Sequence, residues 1–139
     1  MTLRTQGESG GDRYVEGFLA GQVVAYCEMT LRGVRLAGQM DVPSDACSSL
    51  ISLVEAEGCM ARVVCRDAGR AAFWIYRDAR VGALIDALES TPPMPRNLAI
   101  WSMGKLFGYG DREVLDFLNS SIERTGSIDA GGVRRYYNR

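Results

Sequence analysis

The sequence predicts an α+β domain, a small antiparallel sheet packed by about five helices and ending in an αα-hairpin. Three observations carry that expectation. Two adjoining runs, 59–66 and 70–77, read as strands on either side of Asp67-Ala68-Gly69, which fits a tight hairpin loop. Several longer segments repeat apolar residues at helical spacing between Gly and Pro punctuation. The chain has 139 residues, 47% of them hydrophobic, which suits one domain with its own core.

Residues 1–12 are polar and glycine-rich and are expected to form a flexible arm without the character of a signal peptide. The first helix is expected over 13–32, with Val15, Leu19, Val23, Tyr26, Cys27 and Leu31 as its apolar stripe and Gly33 as its stop. Gly17, Gly21 and Ala25 recur every four residues, a stripe that would let a neighbouring element pack closely, although two unrelated glycines would look the same. Residues 34–42 alternate and are expected to add a third, edge strand.

Ser44 is expected to cap a second helix whose inner face is Cys47, Leu50, Ile51 and Val54, ended by Gly58. In the hairpin, a three-residue loop with Gly69 left-handed pairs Arg66 with Arg70, Val64 with Ala72, Arg62 with Trp74 and Met60 with Tyr76. The face carrying Ala61, Val63, Cys65, Ala71, Phe73 and Ile75 is wholly apolar and must point to the core.

Asp78 should cap a third helix with Val81, Leu84, Ile85 and Leu88 inward, and the Pro-rich run 92–95 is a stiff linker. Two helices joined by Gly108-Tyr109-Gly110 follow, the second over 111–124. Trp101, Leu106, Val114, Leu115 and Leu118 are expected to form their shared core, with Tyr109 plugging the corner. Residues 127–139 are expected to be a mobile tail.

Composition excludes several chemistries. The net charge is −1, which argues against a strongly basic nucleic-acid binder. Lys105 is the only lysine, so fifteen of the sixteen basic residues are arginines. No histidine is present, which removes Ser-His and Cys-His nucleophile pairs, histidine bases and histidine metal ligands. Cys27, Cys47, Cys59 and Cys65 form no Cys-x-x-Cys pair and are expected to be buried free thiols in a reducing cytoplasm. The Gly-x-x-x-x-Gly-Lys-[Ser/Thr] phosphate loop is absent. Neither a cofactor nor a metal is expected, and no apolar run is long enough to span a bilayer. Asp111, Glu113 and Asp116 are the densest carboxylates, and they sit where a helix N-terminus favours negative charge. The chain is therefore not expected to be an enzyme.

Two surfaces stand out for binding. The outer hairpin face would gather Arg62, Arg66, Arg70, Trp74 and Tyr76, cations among stacking surfaces. The simpler alternative is that Arg62 merely lies over Trp74 as a cross-strand pair. The last helix offers Glu113, Asp116 and Glu123 against Arg112, too acidic for DNA but fit to mimic nucleic-acid phosphates toward a basic protein. The tail 133–139, with three arginines and two tyrosines, could order on an acidic partner.

The run Gly104, Lys105, Leu106, Gly108 and Tyr109, followed by an acidic helix, resembles the C-terminal end of small uncharacterised proteins of bacterial phages and integrated elements. The order of hairpin and Pro-rich linker is similar as well. The resemblance covers about the last half of the domain and supplies no catalytic residues. It implies a host-cytoplasm setting and an accessory role. By analogy with other small accessory proteins of such elements, that role is to bind a host or element protein complex, as anti-CRISPR inhibitors of host defence do. Weak nucleic-acid binding through the hairpin face is the alternative.

Overall fold

The computed structural model describes residues 10–125, with side chains over 16–120. Helix α1 (Gly10–Leu31) leads to strand β1 (Ala37–Pro43), a 3₁₀ turn (Ser44–Ala46) and helix α2 (Cys47–Ala56). The hairpin β2 (Met60–Cys65) and β3 (Arg70–Tyr76) follows. Helices α3 (Ala79–Leu88), α4 (Arg96–Leu106) and α5 (Asp111–Thr125) complete the order. This is the α+β architecture that the periodicities predict. Among the described residues no helix is long and apolar enough to cross a membrane.

The sheet is antiparallel in the order β1-β3-β2. The hairpin has the register read from its loop: Val64 faces Ala72, Arg62 faces Trp74 and Met60 faces Tyr76. Gly69 is left-handed at φ 74°, and Ala68 joins it at φ 51°. β1 lies on the other side of β3, with Met40 opposite Phe73 and Val42 opposite Ala71.

β3 is central, and both of its faces are buried. On one face Ala71, Phe73 and Ile75 pack with Leu19, Val23 and Cys27 of α1 and with Leu50 and Val54 of α2. On the other, Trp74 and Tyr76 pack with Val81 and Ile85 of α3 and Met103 and Leu106 of α4. The sheet is thus the middle of three layers. Burying a large aromatic on each face is among the strongest apolar contributions a domain this size has.

Several local expectations are corrected. α1 starts at Gly10, so residues 10–12 are helical, and the rest of the expected arm lies outside the described residues. Leu31 is exposed, and Thr30 takes the inward place by donating its Oγ1 hydrogen to the Cys27 carbonyl at 2.9 Å. Among the described residues nothing lies within 4 Å of a Cβ built at Gly17 or Gly21, so none of them uses that stripe for close approach. Ser44 does not cap α2 with its side chain. Its backbone N–H instead donates to the Gly69 carbonyl at 2.7 Å, and a 3₁₀ turn intervenes. Trp101 and Leu118 are only half-buried, and Leu115 is exposed, whereas Leu106 and Val114 are buried between α4 and α5. The α4–α5 pair therefore has a thinner shared core than the sequence spacing suggests.

Asp78 caps α3 as expected, accepting from the Arg80 N–H at 2.9 Å. Its carboxylate also takes the Arg80 side chain. Those side-chain bonds, then the backbone bond, hold its pKa down from 3.8 to about 2. A carboxyl lowered by folding adds stability that is full above its ordinary pKa and lost as pH falls through the folded value. We expect an NMR titration of the Asp78 carboxyl to give a midpoint near 2, moving up toward 3.8 in Arg80→Ala.

Trp74 is fully buried, so Trp74→Ala should destabilise the domain by about 3–5 kcal/mol in urea unfolding. In a Trp101→Phe chain, iodide should leave the remaining fluorescence unquenched. Efficient quenching there would show that the α3–α4 layer does not cover the sheet.

Candidate protein-interaction surface

The outer hairpin face is not the open cation-aromatic patch that the sequence suggests. Trp74 and Tyr76 lie beneath α3 and α4 and are essentially without exposure. The arginines around them are engaged. Arg66 makes a bidentate pair with Glu89 at 2.9 Å, and the Trp74 indole N–H donates to the same carboxylate at 3.2 Å. Arg62 grips Asp86 through two hydrogen bonds, and its guanidinium lies 5.7 Å from the centre of the Tyr76 ring rather than over Trp74. Arg70 pairs with the Asp41 carboxylate at 3.3 Å and donates to the Asp41 carbonyl. The fork geometry of arginine serves here to bind α3 and β1 to the hairpin.

Glu113 and Asp116 are exposed on α5, as is Arg112. Glu123 belongs to the same helix, and its side chain lies outside the described set, as does the whole tail 126–139.

A different surface is built at the corner where residues 34–36 meet the α4–α5 turn. The Leu36 N–H donates to the Leu106 carbonyl at 2.9 Å. Gly108 is left-handed at φ 85°, and a Cβ there would lie 2.6 Å from the Val34 carbonyl oxygen. No side chain can occupy that place without parting the two segments. Arg35 runs inward between them, its guanidinium carbon 5.0 Å from the Tyr26 ring centre and 5.1 Å from that of Phe107. The side chains on either side of these anchors stay outside. Val34 is 64% exposed, Leu36 52% and Tyr109 55%.

The Gly-Lys-Leu-x-Gly-Tyr run can now be divided by duty. A Cβ at Gly104 would strike Val114 at 2.6 Å, so that glycine sets the α4–α5 approach. Lys105 pairs with Asp111 and sits over the Trp101 ring. Leu106 is buried and holds Leu36. Gly108 turns the chain. Tyr109 is half exposed rather than a buried plug, and its hydroxyl has no hydrogen-bond partner among the described residues. Glu113 borders the corner, its Oε1 lying 3.7 Å from a Cβ built at Gly110. The corner is therefore apolar and rigidly backed, with Glu113 of α5 beside its turn.

Sequence reasoning missed this site. It placed Val34 and Leu36 in the strand and Tyr109 in the core. The available signal was that residues 34–36 follow a helix-ending glycine, Gly33, and can belong to its loop as readily as to a strand.

The cysteines provide no metal site: no group of three or more His, Cys, Asp or Glu among the described residues could hold an ion. Cys27, Cys47 and Cys59 are buried, but Cys65 is exposed at the end of β2, contrary to the expectation of four buried thiols. Burial first, and the neighbouring Cys59 second, push the Cys27 thiol up to about 12, and burial raises Cys47 as well. Thiolates are the reactive form. Native protein should accordingly take up iodoacetamide at Cys65 alone, with the other three labelled only after unfolding. Rapid labelling of Cys27 would mean that the α1–α2 layer opens readily.

No family model and no curated protein matches the chain.

Proposed function

We propose that this domain is a non-enzymatic accessory protein of a phage or mobile element. In this reading it acts in the host cytoplasm by binding a protein of a host complex, as an inhibitor of a defence system such as an anti-CRISPR would. The resemblance of residues 104–109 to proteins of such elements supports the setting. The observation that supports the binding mode is Tyr109, a large side chain of that run left 55% exposed, with no hydrogen-bond partner for its hydroxyl among the described residues. Large amphipathic side chains on a rigid backing are preferred interface anchors, because little conformational entropy is lost when they are covered.

The corner also favours one partner chemistry. Val34, Leu36 and Tyr109 would seat in an apolar depression, and the Glu113–Asp116 fringe would meet basic residues around it. The nucleic-acid alternative is less favoured, since Arg62, Arg66 and Arg70 each hold a carboxylate of this chain and Trp74 and Tyr76 are covered.

The test is a photo-crosslinking side chain placed at position 109, compared with one on the far helix at position 48, in host cells carrying an active defence system. A single host protein should crosslink from position 109 and not from 48. Tyr109→Ala and Leu36→Asp should abolish both capture and any rise in phage plating, with unchanged thermal melting. Gly108→Val should fail in both respects because the corner itself parts. Full activity of Tyr109→Ala combined with Leu36→Asp would overturn the site.

A further inference from the structure

The two edges of the sheet are treated differently. β1 ends in Pro43, which has no N–H, and its Asp41 carbonyl is taken by Arg70 at 3.2 Å. Proline and charge are common guards of a sheet edge. β2 has no proline, and no side chain among the described residues takes its outward backbone groups. Its sequence is Met60-Ala-Arg-Val-Val-Cys65, and its single charge, Arg62, is held by Asp86.

The ladder shows which groups are left open. Arg66 donates to the Arg70 carbonyl at 3.0 Å, so the hydrogen-bonded positions toward β3 are 66, 64, 62 and 60. The N–H and C=O groups of Ala61, Val63 and Cys65 therefore point away from β3. None of them has a partner among the described residues. Val63 remains 37% exposed and Cys65 is exposed as well, on the same side of the sheet as Phe73.

We propose that the open β2 edge pairs with β2 of a second copy of this chain, giving a two-fold dimer with one continuous antiparallel sheet. The register follows from charge. With Val63 opposite the partner's Val63, Ala61 faces the partner's Cys65 and every open N–H and C=O finds a mate. On the other side of the sheet Arg62 then faces the partner's Val64, and Arg66 faces the partner's Met60. A slip by two residues in one direction sets Arg62 against the partner's Arg62, and in the other against the partner's Arg66. Like charges directly opposite destabilise a strand pair. The Val63-centred register avoids both clashes and joins the apolar layers of the two copies through Val63. The proposal is independent of the corner formed by Val34, Leu36 and Tyr109.

The test uses the full chain in sedimentation equilibrium and in NMR amide exchange, at micromolar and near-millimolar concentration. Association should rise with concentration. The amides of Ala61, Val63 and Cys65 should exchange freely in the dilute protein and become protected in the concentrated one, while those of Arg62 and Val64 stay protected throughout. Val63→Pro removes an N–H that β3 does not use, so it should remain folded and monomeric. Val63→Lys sets like charges face to face and should raise the dissociation constant at least about tenfold. A wild-type chain that stays monomeric near millimolar concentration would overturn the proposal. So would a dimer in which those three amides still exchange freely. Should Val63→Pro fail to fold, Val63→Lys and the wild-type exchange pattern decide the matter.

Discussion

The domain depends on a stack of rings and charges that crosses its layers. Arg35 lies against Tyr26 of α1 and Phe107 at the end of α4. Phe107 stacks on Trp74 of β3 with ring centres 5.9 Å apart and planes 18° off parallel. Trp74 donates to Glu89 after α3, and Glu89 receives Arg66 at the end of β2. One continuous set of contacts thus joins α1, α4, β3, α3 and β2. A guanidinium held against aromatic faces away from water is worth up to about 2 kcal/mol. It also fixes geometry: with Arg35 anchored inward, the backbone at Val34 and Leu36 has only one way to lie against the α4–α5 turn.

This arrangement gives Arg35, Arg62, Arg66 and Arg70 structural duties within the chain. A lysine at position 66 could not bridge both oxygens of Glu89, and one at position 35 would present a strongly hydrated point charge to Tyr26 and Phe107. Replacing either would exchange a planar, directional contact for a weaker one. The sequence shows an arginine beside an aromatic and cannot say which way it points. Arg62, Arg66 and Arg70 look like a ligand surface until their carboxylates are located, and Asp86, Glu89 and Asp41 are each more than twenty residues away in sequence, brought within reach by α3 packing on the sheet and by β1 pairing with β3.

What was legible in the sequence was local. The hairpin register followed from Asp67-Ala68-Gly69 and the alternation beside it. Asp78 and Gly108 revealed themselves as a cap and a turn because their chemistry is required by backbone groups a few residues away. What was not legible was which element lies over which. β3 carries a signal that was open to reading, since Ala71 to Tyr76 is apolar without interruption, the mark of a strand buried on both faces. β2 alternates with arginines, and reading the hairpin as one unit let that polarity stand for both strands. Tyr109 was misplaced for a related reason: an aromatic between two glycines suits a buried corner, but sequence alone does not show that the Val34 carbonyl and Arg35 occupy the space beside Gly108.

The strand order separates the two surfaces left for contact. Val34 and Leu36 precede β1, so the corner belongs to the β1 side of the sheet, whereas the open edge is β2, with β3 between them. Occupying one does not obstruct the other. In a dimer joined through β2, the two β1 strands become the outermost strands of the combined sheet, and each carries its Val34–Leu36–Tyr109 corner outward. A target with two equivalent sites, or two copies of one target subunit, would then be held twice by a single rigid body. The second contact becomes intramolecular and strengthens binding without any further interface, provided the spacing of the target sites matches.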